Sequence, residues 1–125
     1  MHWILLIMDA FLYLSSCSTC KRILETLDLS EEVALIDIKK DPLTEEQLSV
    51  LFTAAGSYES LINKRAQLFK TRGIDPKALT EEDAKALLLD HYTFLKRPAL
   101  LYKSQVFVGN SKSTVNDAKK CLDEH

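Results

Sequence analysis

Apolar and polar positions change period several times along this chain. Ala10 to Leu14 (AFLYL) is a short unbroken apolar run, and it predicts a buried strand ended by Ser15 and Ser16. From Ser18 the spacing turns helical. Ile23, Leu24 and Leu27 fall on one face, with Lys21, Arg22 and Glu25 outside, and a hydroxyl of Ser16 or Ser18 is expected to cap the start. Val33 to Ile38 reads as a second strand, closed by Lys39-Lys40-Asp41-Pro42. Thr44 to Gln47 has the form of a capping box, opening a helix whose inner face is Leu48, Leu51 and Phe52 and which Gly56 ends. Ser60 to Thr71 is expected to be helical up to Gly73. Thr80 opens a further helix, again with a capping box, with Ala84, Leu87 and Leu88 inward. Arg97-Pro98 then breaks the chain. Ala99–Tyr102 and Gln105–Val108 are two short strands, joined at Lys103-Ser104 by a hairpin turn that lacks the usual Gly or Asn. Ser111 to Glu124 reads as a last helix, with Val115, Ala118 and Leu122 inward.

The order strand–helix–strand, several helices, strand–strand–helix predicts an α/β fold. Its sheet is mixed: parallel in the first unit, antiparallel in the hairpin, with helices on its faces and a helical insertion between the two halves. A chain of 125 residues suits one domain, 1–125. The apolar start, Met1 to Met8, invites a membrane reading, and Leu14-Ser15-Ser16-Cys17 resembles a lipoprotein cleavage box. Asp9 interrupts the run and no Lys or Arg precedes it. The run is also shorter than the ~20 residues of a membrane span. The expectation is a cytoplasmic protein without a membrane segment, with residues 1–9 an extension and Met8 an alternative start.

Charge narrows the partners. With 16 basic and 18 acidic residues the net charge is -2, so no broad field exists for nucleic acid or an anionic membrane, although a local basic pocket is compatible with it. The 3 cysteines, Cys17, Cys20 and Cys121, are too few and too odd in number for a secreted disulfide scaffold. Cys17 and Cys20 could form half of a zinc site, but no second pair follows and His2, His91 and His125 are scattered, so no metal is expected.

The chemistry sits at Cys17-Ser18-Thr19-Cys20. Cys17 falls between a strand and a helix, where unpaired amides and the helix dipole favour a thiolate. Cys20 is one turn later and within reach, so it could resolve a mixed disulfide on Cys17. Lys21 and Arg22 are expected to add positive potential. The plainer reading is a pair of ordinary buried cysteines, as also holds for Cys121, a lone thiol on the last helix.

SSCSTCKRILETL (15–27), INKRAQLFK (62–70) and LKRPALLYKSQVFVGNS (95–111) together resemble the arsenate reductase (ArsC-like) family of thioredoxin-fold proteins, from about Phe11 onward. That family includes glutaredoxin-coupled arsenate reductases, Spx-type transcription regulators and glutathione-dependent reductase-like members. The resemblance implies a thioredoxin-like sheet with a cis Pro98 beside the active thiol. It makes Cys17 the nucleophile and Arg65 and Arg97 the ligands of an oxyanion, a role that guanidinium forks suit. No bound cofactor is implied; glutathione, glutaredoxin or thioredoxin would donate electrons. Three positions depart from the reductase pattern: Tyr13 stands where a histidine is common, no arginine follows the last strand at Phe107-Val108-Gly109-Asn110, and Cys20 completes a C-x-x-C. Such a pair occurs in Spx-type regulators, which contact RNA polymerase, and Val108-Gly109 matches the glutathione-dependent members. The leading expectation is a thiol-dependent oxidoreductase acting on a small oxyanion or a glutathione-type thiol. The alternatives are a redox-sensing regulator of the Spx type, binding RNA polymerase, and a member whose oxyanion pocket has decayed.

Overall fold

The computed structural model describes residues 9–124. The apolar segment 1–8, with the alternative start at Met8, and His125 lie outside the described residues. The elements run in the order β1 (Ala10–Tyr13), α1 (Ser18–Leu27), β2 (Ala34–Asp37), α2 (Glu45–Ala55), α3 (Leu68–Arg72), α4 (Glu81–Asp90), β3 (Ala99–Tyr102), β4 (Gln105–Val108) and α5 (Lys112–Asp123). Single 3-10 turns lie at Glu59–Leu61 and Tyr92–Phe94.

The strands form one mixed sheet in the order β2-β1-β3-β4. β1 pairs parallel with β2, Phe11 opposite Leu35, and antiparallel with β3, Phe11 opposite Leu100. β3 and β4 are antiparallel, with Tyr102 opposite Gln105. Side chains alternate across the pleat, so neighbours in β1 feed different cores. Leu12 and Ala99 point to the face covered by α2, α4 and the insertion, among Leu48, Leu51, Phe69, Leu88 and Phe94. Phe11 and Leu100 point to the other face, against Ile23 and Leu27 of α1 and Ala118 of α5. Full burial of one such side chain contributes about 1.5–3 kcal/mol, and this packing holds the middle and end of α1, at Ile23 and Leu27, against the centre of the sheet.

Caps set the helix ends as the spacing predicts. Thr44 and Thr80 each accept the amide three residues on, while Gln47 and Asp83 reach back to the cap amide. Gly56 and Gly73 end their helices in the left-handed conformation. The β3–β4 hairpin turns on Lys103 and Ser104 with φ of 50° and 66°, both left-handed without a glycine.

Two expectations are corrected. Ser60–Thr71 is not one helix: only Glu59–Leu61 and Leu68–Arg72 are helical. Between them the backbone is held by a distant partner. Ile62 bridges Leu95, the Asn63 amide donates to Phe94 O at 2.7 Å, and the Lys96 amide donates to Leu61 O at 2.9 Å. Nor does a serine hydroxyl cap α1. Cys17 itself is the N-cap residue, with no side-chain capping bond.

Candidate active site

The loop after β1 is a tight turn that delivers Cys17 to the head of α1. The Cys17 amide donates to Leu14 O at 3.0 Å, closing the turn over Ser15-Ser16, and the Lys21 amide donates to Cys17 O at 3.1 Å, starting the helix. The turn is pinned laterally. Ser15 Oγ donates to Asp37 Oδ2 at 2.5 Å, tying it to the end of β2. That bond, with the Lys39 amide on Asp37 Oδ1, holds the Asp37 carboxyl below the usual carboxylate range.

Cys17 opens onto a cleft of about 580 Å³. Two basic segments form its other walls. Asn63 anchors the first: its Nδ2 donates to Thr93 O at 3.4 Å, and its Oδ1 accepts the Arg65 amide at 3.2 Å. The resulting turn presents Lys64 and Arg65 to the cleft. Lys96 and Arg97, in the opposite segment before β3, are the other cations lining it. The lining contains no Asp or Glu. Glu59, outside the lining, pairs with Lys64 and also bears on Lys96. The Arg97 guanidinium is weakly engaged. Nη1 lies 3.4 Å from Tyr92 O, and Nε is buried without a hydrogen-bond partner.

A second helix end faces the same space. Gly109, at φ 98°, takes a conformation that suits glycine and turns the chain from β4 towards α5. Its amide donates to Pro98 O at 2.9 Å. Ser111 then caps α5, its hydroxyl accepting the Thr114 amide at 3.1 Å. Asn110, Ser111 and Thr114 line the cleft opposite Thr19 of α1. Two helix N-termini therefore add positive potential to that of the basic side chains.

The thiols respond to this field unequally. Burial alone would raise the Cys17 thiol, but the backbone amide and thiol of Cys20, the Thr19 amide and the Arg97 charge outweigh it and hold Cys17 below the ordinary thiol value. Cys20 is the reverse: buried in the core behind Cys17, it is pushed up by burial and by the neighbouring Cys17 sulfur. Both are free thiols. The two thiols are thus biased in opposite directions, Cys17 towards the thiolate and Cys20 towards the protonated form.

Of the residues singled out in the sequence, Cys17, Arg65 and Arg97 line one cleft, and Cys20 stands behind Cys17. Pro98 follows a cis peptide bond and is buried below the cleft, beside Phe11, Ile23 and Gly109. Lys21 and Arg22 are exposed on the outer face of α1 and do not line the cleft. The charge acting on Cys17 is that of Arg97. Tyr13 packs on Phe11, with ring centroids 5.6 Å apart, rather than lining the cleft. Cys121 is buried on α5, where Gln105 Nε2 approaches its sulfur at 3.7 Å, and it takes no part in the lining. Lys64 and Lys96 were not foreseen, although each directly precedes a foreseen arginine.

The family model for ArsC matches residues 12–118. The chain belongs to the ArsC family. Among solved structures, an ArsC family related protein from Bacteroides fragilis is 24% identical, with a TM-score of 0.69 over 88% of this chain and 97% of that one. An arsenate reductase from Vibrio cholerae is 16% identical, with a TM-score of 0.73 over 88% and 96%. An arsenate reductase (ArsC) related protein from Brucella melitensis is 22% identical, with a TM-score of 0.65 over 87% and 92%. At such identities these neighbours establish the fold, the thioredoxin-like arrangement of the ArsC family. No curated protein shows a significant match. Among the described residues no helix is long and apolar enough to cross a membrane.

Proposed function

We propose that this ArsC-family chain is a cytoplasmic thiol-dependent oxidoreductase acting on an anionic substrate. The observation that carries the reading is the convergence of Cys17, Arg65 and Arg97 on one cleft whose lining has no carboxylate. Arg65 and Arg97 hold the anion through charge-assisted hydrogen bonds, and Cys17 attacks as the thiolate. With an oxyanion such as arsenate, Cys17 displaces an oxygen, which leaves as water after protonation. Attack of a second thiol on the Cys17 sulfur then expels the reduced anion, arsenic passing from the +5 to the +3 state as two thiols become one disulfide. Cys20 or an external thiol such as glutathione supplies that second sulfur, and glutathione, glutaredoxin or thioredoxin returns the two electrons. The neutral groups at Val108-Gly109-Asn110, where a further arginine is absent, leave room for a glutathione-type thiol in the same cleft.

Turnover of arsenate and of hydroxyethyl disulfide, with glutathione and glutaredoxin as donors, tests this. Cys17→Ser is expected to abolish both activities, whereas Cys20→Ser keeps glutathione-coupled turnover. Full activity of the Cys17→Ser protein would sink the assignment. An inactive wild type that binds RNA polymerase only when oxidised would shift the reading to a redox switch.

A further inference from the structure

Arg65 belongs to two cavities. With Lys64 it forms a ridge between the cleft at Cys17 and a second cleft of about 590 Å³. Lys70, Gln67 and Thr71 give the second cleft its polar side, and Phe69, Ile74 and Pro76 its apolar side. Its lining, too, contains no Asp or Glu. Among the described residues Arg65, Lys70 and Arg97 form no ion pair, whereas Lys64 is paired with Glu59. Three uncompensated cations thus connect the thiol with the far cleft.

Size bears on what this path holds. Pockets of about 300–1,000 Å³ enclose ligands of drug size. A tetrahedral oxyanion of five heavy atoms leaves most of the first cleft empty and touches nothing in the second. An extended peptide advances about 3.3 Å per residue, so unlike a small oxyanion it can lie along both clefts, which share Lys64 and Arg65.

We propose that the substrate of Cys17 is a disulfide carried by an acidic peptide segment, with its sulfur at Cys17 and its carboxylates along Arg65 to Lys70. The apolar wall of the second cleft takes a side chain of the same segment. The proposal rests on the reading of Cys17 as a redox nucleophile and names its substrate class. The Cys17 thiolate attacks one substrate sulfur. The substrate S–S bond breaks, and the other sulfur leaves as a thiolate that takes a proton from water. Cys20 then loses its proton and attacks the Cys17 sulfur. The second substrate thiolate departs and a Cys17–Cys20 disulfide remains. The substrate gains two electrons and the protein loses two, which an external dithiol, or two molecules of a monothiol, restores.

The test uses the reduced full chain and three pyridyl mixed disulfides, read by release of the neutral thiopyridone. One is on a cysteine peptide with aspartates in the four positions after the cysteine, one on the same peptide with asparagines, and one on hydroxyethanethiol. The acidic peptide is expected to react about tenfold faster than the asparagine peptide at low salt, an advantage that shrinks strongly in about 1 M salt, where the Debye length is ~3 Å. Lys70→Glu should cut the acidic-to-neutral ratio by about threefold to tenfold, and Lys70→Ala by less in the same direction. Normal reaction with hydroxyethyl pyridyl disulfide without an acidic preference overturns the proposal alone. Reaction with none of the probes faster than free cysteine overturns the redox reading and the proposal together. Competition by a short oligonucleotide stronger than by the acidic peptide would replace carboxylates with phosphates and overturn the peptide assignment.

Discussion

Replacing Arg97 by methionine should separate stability from function. Methionine keeps the apolar stem and removes the guanidinium. In the folded protein that group has a buried Nε without a partner and only a long bond, 3.4 Å, from Nη1 to Tyr92 O. An unsatisfied buried donor costs about 1–3 kcal/mol, whereas a weak neutral-acceptor bond returns about 1 kcal/mol or less. Arg97→Met is therefore expected to leave the fold as stable or raise stability by about 1 kcal/mol, equivalent to a few degrees in Tm for a domain of this size. The same change removes charge-assisted bonds to a bound anion worth about 1.5–3 kcal/mol, so anion affinity should fall about 10-fold to 100-fold. It also removes a positive charge that favours the Cys17 thiolate, so the thiol should move up towards its ordinary value. Urea unfolding gives the first quantity. Protection of Cys17 from iodoacetamide by arsenate or sulfate, over a pH series, gives the other two. A variant clearly less stable than wild type, with anion protection and thiol behaviour unchanged, would make Arg97 a structural residue with no part in anion binding.

Asp37→Ala and Ser15→Ala should each loosen the turn that delivers Cys17 by removing the bond between them; both are expected to slow Cys17 alkylation at neutral pH, and wild-type rates in both variants would show that the turn is held without that bond. The depressed thiol of Cys17 has a definite sign in stability. Its contribution is fully present above the ordinary thiol value of ~8.5 and is lost as pH falls through the lower folded value. In a Cys20→Ser background, which removes the opposing shift of the raised Cys20 thiol, the stability gap between Cys17 and Cys17→Ser proteins should widen as pH rises towards that value; a gap independent of pH would contradict the shift. Ser104→Gly should relieve a left-handed serine at φ 66° in the β3–β4 turn and stabilise by about 0.5–1 kcal/mol in thermal unfolding, whereas a fall in Tm would mean the turn is not strained.

Features fixed by neighbours in sequence were legible before the fold was known. The threonine caps of α2 and α4, the glycine stops at Gly56 and Gly73, and the apolar run of β1 each depend on residues a few places apart. So does the position of Cys17 at a strand–helix junction. Long-range contacts were not legible. A helix over Ser60–Thr71 is locally reasonable, but the Asn63 amide and side chain bond to residues some thirty places on, Phe94 and Thr93, and that exchange breaks the helix and exposes Arg65. Likewise Lys21 and Arg22 are close to Cys17 in sequence, yet the helix turns them outward, and the charge acting on the thiol arrives from Arg97 across the sheet. The resemblance to the ArsC family supplied that distant pairing of Cys17 with Arg65 and Arg97, which periodicity could not. Tyr13 shows the converse. Its substitution for histidine suggested an altered site, whereas it packs on Phe11, on the sheet face covered by α1 and α5, and does not line the cleft. The second cleft beyond Arg65 has no signature in the sequence, because Lys64 to Pro76 form it only once the segment folds back as a turn and the short α3.

An activated Cys17 thiolate beside an anion site is tested most directly by the pH dependence of Cys17 alkylation in the Cys20→Ser, Cys121→Ser protein, alone and with arsenate or sulfate. Cys17 should titrate below the ordinary thiol value of ~8.5, displaced upward by either anion, together with protection from the reagent. An ordinary thiol titration, unchanged by both anions, would contradict both the activated thiolate and its anion site.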